Sequence, residues 1–218
     1  MASVRICFVG DSLTAGTGDA QARGWPSRLS AEEATQRGHD ITCYNLGVRA
    51  ETSQMIAARW ERECTPRLPD HVDGRLVFMF GLNDMADQED GAQGPATQRV
   101  NDDRSIEAAR AMLSRARSWK PTLWLGPTPP QRGDAVVEPG GGVRYTFYRY
   151  RVKAINARYQ ALADDLAIPY LDLYSALSDD PAWDQSMAEG DGVHPTAEGY
   201  QKLTRLIADW SAWRAWLN

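Results

Sequence analysis

A serine, a histidine and an aspartate in this sequence have the types and the placement that acyl-transfer chemistry requires. Ser12 lies in the Gly-Asp-Ser-Leu sequence of residues 10–13, directly after an apolar run, Val4–Val9, that is typical of a buried strand. A serine at the point where a strand ends and a helix begins presents its hydroxyl at an exposed edge, beside free backbone N–H groups. The alternative for these four residues is an ordinary strand-to-helix turn, because Gly, Asp and Ser are common in turns and N-caps.

Of the three histidines, His194 is the one that stands where it can serve Ser12 as a base. His39 and His71 precede predicted strands, which places them at the opposite edge of the sheet. His194 follows the last predicted strand, and Asp191 comes three residues earlier. In a tight loop Asp191 can accept the hydrogen on Nδ1 of His194 and fix its tautomer. Turn and helix-cap roles are the alternative for this pair, and Ser12 on the same edge favours catalysis.

Two further loops offer hydrogen-bond donors at the edge that carries Ser12. Gly47 follows the second predicted strand, and a glycine lets its N–H approach a ligand closely. Asn83 follows the third and offers a neutral side-chain donor. Together with the N–H of Ser12, they predict an oxyanion hole formed by Ser12, Gly47 and Asn83. Taken singly, Gly47 is a turn glycine and Asn83 a loop asparagine.

Short apolar runs alternate with helical patterns along the whole chain, which predicts an α/β fold. The predicted strands are Val4–Val9, Ile41–Leu46, Arg75–Phe80, Thr122–Leu125 and Pro169–Leu173, and the predicted helices are 26–37, 53–64, 104–118, 146–167 and 197–216. Repeated β-α units with short joints imply a parallel sheet with helices on both faces, a three-layer sandwich. The second strand is the most polar and suits a sheet edge. With no linker or repeat, we expect residues 1–218 to form one domain.

The stretches 84–103 and 127–144 carry no clear helical pattern, and each follows a predicted strand at the carboxyl edge. Ligands bind at that edge in open α/β sheets, so we expect these stretches to select the substrate. Solvated surface loops are the alternative. The residues that we expect to line the substrate are Asp11, Trp25, Arg49, Asp84 and Thr128.

Composition narrows the class of protein. The chain has 218 residues, a formal charge of −5 and 43 % hydrophobic residues, which indicates a globular protein without the basic face that nucleic acid requires. No apolar run approaches the roughly 20 residues of a membrane helix, and the first strand begins too early for a signal peptide. The cysteines Cys7, Cys43 and Cys64 lack metal-ligand spacing, so we expect free thiols, a cytoplasmic setting and neither metal nor cofactor. The aromatic C-terminus is compatible with a homodimer.

The ordered blocks around Ser12, Gly47, Asn83 and His194 resemble those of the GDSL, or SGNH, hydrolase family. The resemblance spans nearly the whole chain and implies a flavodoxin-like sandwich with a five-stranded parallel sheet. It also implies metal-independent hydrolysis of esters or thioesters. On this interpretation Ser12 forms an acyl-enzyme, His194 is the general base and Asp191 orients it. Small soluble esters are the expected substrates.

Other classes fit the sequence less well. A nucleotide or phosphate binder on the same fold lacks a phosphate-loop motif, and residues 16–19 lack the third glycine of a dinucleotide fingerprint. An α/β-hydrolase lacks its Gly-x-Ser-x-Gly elbow. A non-catalytic module that binds carbohydrate, nucleotide or a protein partner stays open as the alternative, although it has little need for a histidine and an aspartate facing a serine.

Overall fold

The computed structural model describes residues 3–90 and 95–217. The strands are β1 (Ser3–Gly10), β2 (Asp40–Gly47), β3 (Gly74–Met79), β4 (Asp87–Asp90), β5 (Thr97–Gln98), β6 (Thr122–Leu125), β7 (Asp134–Gly140), β8 (Val143–Tyr148) and β9 (Tyr170–Leu171). The helices are α1 (Ser12–Ala15), α2 (Gly24–Arg37), α3 (Ser53–Cys64), α4 (Asp102–Trp119), α5 (Arg149–Asp165), α6 (Leu173–Leu177), α7 (Pro181–Glu189), α8 (Ala197–Asp209) and α9 (Ser211–Leu217). A 3-10 turn covers Asn83–Met85.

Five parallel strands form the central sheet in the order β2-β1-β3-β6-β9, which confirms the predicted architecture. The most polar strand, β2, lies at the edge, as expected. Strand β1 pairs with β2 on one side and β3 on the other, and Gly10 lies in register with Gly47 and Met79. The loops that follow these three strands therefore meet at one place on the carboxyl edge.

Helices cover both faces of this sheet. Phe8 of β1 contacts Trp25 of α2 edge to face, with ring centroids 5.3 Å apart. Phe78 of β3 contacts Trp60 of α3 in the same manner, at 5.5 Å. Phe8 lies in register with Val77, so Phe8 and Phe78 point to opposite faces of the sheet. The three-layer sandwich follows from this alternation.

A second sheet replaces the predicted loops. Strands β4, β5, β7 and β8 pair antiparallel in the order β5-β4-β8-β7 and take up much of 84–103 and 127–144. The sequence hid them because they are short and polar: β4 reads Asp-Gln-Glu-Asp, and β7 contains Pro139. The glycines at 140–142 turn the chain between β7 and β8, all with positive φ.

Two helix predictions need correction, and two helices were missed. The helix predicted over 146–167 starts at Arg149, because residues up to Tyr148 pair with β7 as part of β8. The last predicted helix breaks at Trp210, whose extended backbone separates α8 from α9. Helices α6 and α7, which fill 173–189 in part, were not predicted. Among the described helices none is long and apolar enough to cross a membrane.

Candidate active site

Ser12, His194 and Asp191 form one hydrogen-bonded chain. Nε2 of His194 lies 2.7 Å from Oγ of Ser12, and Nδ1 of His194 lies 2.7 Å from Oδ2 of Asp191. The site joins two ends of the fold, because Ser12 begins α1 after the central strand and His194 precedes α8. Ser12 and His194 are buried, whereas Asp191 keeps part of its side chain in solvent. The arrangement orients the imidazole to accept the serine proton.

The loop 191–194 is shaped by Asp191 itself. Its Oδ1 accepts the backbone N–H of Val193 at 3.0 Å and of His194 at 2.8 Å. Burial raises the pKa of this carboxyl, but the hydrogen bonds and the charge of the His194 ring outweigh burial and lower the pKa to about 2. Asp191 is therefore ionised at neutral pH, which suits the stabilisation of an imidazolium.

Asp11 holds the turn that presents Ser12. Its Oδ1 accepts the N–H of Leu13 at 3.0 Å and so caps α1. Its Oδ2 accepts from the Asn83 side chain at 3.2 Å. Asp11 is 1 % exposed, and burial raises its pKa to about 6 despite these hydrogen bonds. The nucleophile turn is thus linked directly to the predicted oxyanion donor.

The Asn83 amide is held between two acceptors. Besides Asp11, its Nδ2 donates to the carbonyl oxygen of Glu51 at 3.1 Å. Both amide hydrogens are therefore engaged, and donation to a substrate oxygen requires sharing or exchange of one of these bonds. Asn83 lies beside Gly81, whose φ of +113° and contact with the Tyr159 ring leave no room for a Cβ. Asn83 lies in the lining of the same cavity as Ser12, at the edge of the sheet where the sequence placed it.

Gly47 lies at the end of β2, on the predicted edge of the sheet, but its N–H has a partner within the protein. Its N–H donates to Oδ1 of Asn45 at 3.0 Å, and Gly47 is not among the described residues that line the cavity beside Ser12. A Cβ on Gly47 would lie 2.1 Å from the backbone nitrogen of Ala15, so glycine is required there by packing against α1. The prediction that Gly47 supplies an oxyanion donor is corrected on this ground.

Ala50 reaches the cavity from the same loop. Its φ of +62° is left-handed, a conformation that costs a residue with a Cβ about 1 kcal/mol. The Ala50 carbonyl accepts from Nη2 of Arg99 at 2.7 Å, which fixes the peptide. Sequence reasoning missed Ala50, because alanine gives no signal for a left-handed turn.

A buried arginine joins the nucleophile turn to this loop. Nη2 of Arg59 donates to the carbonyl oxygen of Gly10 at 3.0 Å, and its Nε donates to Glu51 at 2.5 Å. Its Nη1 donates to Glu63 at 2.8 Å. Since Gly10 precedes Asp11 and Glu51 follows Ala50, Arg59 sets the spacing between both segments of the site.

A cavity of about 310 Å³ opens beside Ser12. It combines Ser12, Asn83 and His194 with residues of the loop after β2 and of strands β7 and β8. The lining residues are Ser12, Arg49, Ala50, Asn83, Val137, Pro139, Tyr145, Phe147, Val193 and His194. The second sheet thus supplies an apolar wall. Val137 and Pro139 of this wall lie in the stretch 127–144 that was expected to select the substrate, whereas Phe147 lies in the segment that was predicted to be helical.

Of the predicted substrate-lining residues, Arg49 lines the cavity. Asp11 lies buried behind Ser12, and Trp25 is fully buried against Phe8 in the core. Thr128 is also fully buried, away from the lining.

Asp84 is fully buried rather than exposed to the cavity. It accepts from the backbone N–H of Ser53 at 2.7 Å and from Ser105 Oγ at 2.5 Å, and the hydroxyl of Tyr159 lies 2.5 Å from the same Ser105 atom. Burial raises the pKa of Asp84. These contacts tie the loop after β3 to the start of α3 and to α4, so Asp84 supports Asn83 from behind. No cluster of three or more metal-ligating side chains occurs within 3–90 and 95–217.

The sequence profile of the GDSL-like lipase/acylhydrolase family matches residues 8–202. No curated protein matches the chain. A lipase/acylhydrolase from Enterococcus faecalis has a similar structure, with 22 % identity over 95 % of this chain and 94 % of that one and a TM-score of 0.68. An acetylxylan esterase from Geobacillus stearothermophilus is similar at 17 % identity over 100 % and 97 % of the two chains, with a TM-score of 0.69. A G-D-S-L family lipolytic protein from Veillonella parvula is similar at 20 % identity over 97 % and 99 %, also at 0.69.

Proposed function

The chain belongs to the GDSL-like lipase/acylhydrolase family, and on that premise we propose that it hydrolyses small soluble carboxylic esters through an acyl-enzyme on Ser12. One observation carries the proposal. The Asp191–His194–Ser12 hydrogen-bonded chain ends at the wall of a cavity, so the serine hydroxyl has both a base behind it and room for a carbonyl in front.

The first chemical step is attack by Ser12 Oγ on the acyl carbonyl carbon. Nε2 of His194 takes the hydroxyl proton as the new C–O bond forms, and the carbonyl electrons move onto oxygen. The alcohol then leaves with that proton, and the acyl group stays on Ser12. In the second half, His194 activates a water molecule that releases the acid and restores the serine. Asp191 accepts the Nδ1 hydrogen throughout and offsets the positive charge of the imidazolium.

The tetrahedral oxyanion needs donors at the edge where Ser12 lies. The N–H of Ser12 is the first of α1, and the first N–H groups of a helix have no partner in a preceding turn. We assign the second donor to the N–H of Ala50, which lines the cavity where Gly47 does not. Asn83 supplies the third by sharing its Nδ2 with the oxyanion and Asp11.

The size and character of the cavity support a short acyl chain. A volume of about 310 Å³ lies at the lower end of the range for small-molecule sites, and Val137, Pro139 and Phe147 give it an apolar side. A thioester with an equally short acyl group fits the same chemistry.

Labelling with a fluorophosphonate probe tests the proposal. We expect the wild-type protein to be labelled, and the Ser12→Ala variant to lose both the label and ester turnover. Ser175→Ala, which changes an exposed helical serine, is the matched control and should be labelled as the wild type is. A folded wild-type protein without label or turnover would support the alternative of a non-catalytic binding module.

A further inference from the structure

We infer that the preferred esters carry a carboxylate on their alcohol part, and that Arg49 binds it. The inference rests on the proposed esterase function and concerns the substrate that this site selects.

Arg49 is an exposed cation in the lining of the cavity, and the described residues offer it no partner. It is exposed, lines the cavity that contains Ser12, and makes no hydrogen bond or ion pair with any residue in 3–90 or 95–217. Arg59, by contrast, is neutralised by Glu51 and Glu63. A guanidinium that faces a ligand cavity and is not committed to a carboxylate of its own chain is available to one from the ligand.

The charge of the cavity is opposite to that of the whole protein. Among the described lining residues Arg49 is charged, and none carries a carboxylate. The lining residue Tyr145 is itself covered by the guanidinium of Arg99, whose central carbon lies 4.7 Å from the ring centroid. The chain as a whole has a net charge of −5. On an acidic protein, a positive site attracts an anionic ligand that the rest of the surface repels.

The apolar part of the cavity lining determines which part of the ester carries the charge. Val137, Pro139 and Phe147 come from the second sheet and are apolar. An anion placed there would lose its hydration without gaining a hydrogen bond. A short uncharged acyl group suits that side, so the carboxylate belongs to the alcohol part, which extends toward Arg49.

Two acetate esters of nearly the same shape test this assignment. One is 4-acetoxybenzoate, whose alcohol part is anionic, and the other is 4-acetoxybenzamide, whose alcohol part is neutral. The measurement is the ratio of kcat/KM for the anionic ester to kcat/KM for the neutral ester. We compare this ratio between proteins, because the intrinsic reactivities of the two esters then cancel.

We expect Arg49→Gln to lower the ratio about fivefold, the effect of a partly exposed charge-assisted hydrogen bond, and Arg49→Lys to lower it less. Added salt should lower the ratio of the wild type and leave that of Arg49→Gln nearly constant. Arg144→Gln is the matched control. It removes the same charge from β8, where Arg144 is exposed and lies 3.9 Å from Glu138 outside the cavity lining, and it should leave the ratio unchanged.

The outcomes separate this inference from the proposed function. If the ratio in Arg49→Gln stays within twofold of the wild type, or falls equally in Arg144→Gln, Arg49 does not select the charge and the inference is wrong. In that case Ser12-dependent hydrolysis of the neutral ester still supports the esterase. If wild type and Ser12→Ala hydrolyse both esters equally slowly, the proposed function itself is overturned, and the inference with it.

Discussion

Asp11 links the turn that presents Ser12 to the side chain of Asn83. One of its carboxylate oxygens caps the helix that begins with Ser12, and the other accepts from Asn83. Because the side chain is buried, its ionised form is costly, and its pKa rises to about 6. The folded protein therefore holds the Asp11 proton more tightly than the unfolded chain does.

This difference predicts how stability depends on pH. Between about pH 4 and pH 6 the folded state binds more protons at Asp11 than the unfolded state, so the free energy of unfolding falls as pH rises. A shift from 3.8 to about 6 corresponds to about 3 kcal/mol. We expect the stability of the wild type, measured relative to Asp11→Asn by urea unfolding, to decrease by up to this amount from pH 4 to pH 7. Parallel pH curves for the two proteins would contradict the raised pKa.

Asn83 is expected to act mainly in the transition state. Replacing it with alanine removes one oxyanion donor, which typically lowers kcat by about 10²–10³-fold, while KM changes little. Steady-state kinetics on a p-nitrophenyl ester measure both quantities. A thermal unfolding curve close to that of the wild type serves as the control for folding, and a kcat within threefold of the wild type would remove Asn83 from the mechanism.

Among the structural elements, the strands of the central sheet were predictable and those of the second sheet were not. Strands such as β1 and β3 are covered on both sides, so their continuous apolar runs identified them. Strand β4 gives no such signal, because its charged residues obtain their structure from pairing with β8. The start of α5 was misplaced for a related reason: Tyr148 fits the apolar stripe of the helix, yet it pairs with β7.

The hydrogen-bonded series Asp191–His194–Ser12 was predictable for the same reason as the central sheet. Ser12 and Asn83 each follow a recognisable strand, His194 precedes the last predicted helix, and the topology brings all three to one edge. The donor on the loop after β2 was assigned to Gly47, because glycine is the residue that sequence reasoning associates with close approach. Gly47 is instead required by its packing against α1. The left-handed backbone of Ala50 could not be foreseen from an alanine side chain.

Substitutions at Gly47 and at Ala50 should change the free energy of unfolding in opposite directions. Gly47→Ala places a Cβ 2.1 Å from the Ala15 nitrogen, so the loop or α1 must shift, and we expect a loss of about 1–3 kcal/mol in the free energy of unfolding. Ala50→Gly relieves a left-handed alanine and should raise stability by up to about 1 kcal/mol. Chemical denaturation of both variants measures these changes.

Ala22→Gly is the matched control for the second variant, because Ala22 also has a positive φ, of 52°, and is not among the described residues that line the cavity. Ala22→Gly should show a similar gain in the free energy of unfolding and should leave kcat/KM unchanged. A stable, fully active Gly47→Ala variant would mean that the contact with Ala15 does not constrain the loop.

At the scale of the whole molecule, the two sheets are tied together by more than chain connectivity. Asp87 of β4 accepts from Arg151 of α5 at 2.5 Å, and Arg99 beyond β5 donates to Ala50 beside β2. Strand β8 also runs directly into α5. These contacts connect the second sheet to the central sandwich.

We therefore expect the chain to unfold as one cooperative unit, as a single domain would. Far-UV circular dichroism reports the loss of helices, and tryptophan fluorescence reports the loss of the core around Trp25 and Trp60. The two transitions should share one urea midpoint. A separate early transition that abolishes ester turnover before the helices melt would show that the second sheet unfolds independently.

Ser12 and His194, which lie 2.7 Å apart in the fold, are 182 positions apart in the chain. During synthesis at about 5–20 residues per second, Ser12 leaves the ribosome many seconds before His194 is made. The central strands β1 and β3 can pair while the serine still has no partner to accept its proton. On the proposed mechanism, Ser12 is therefore unreactive in the growing polypeptide until the segment 191–194 has been made and has docked beside it.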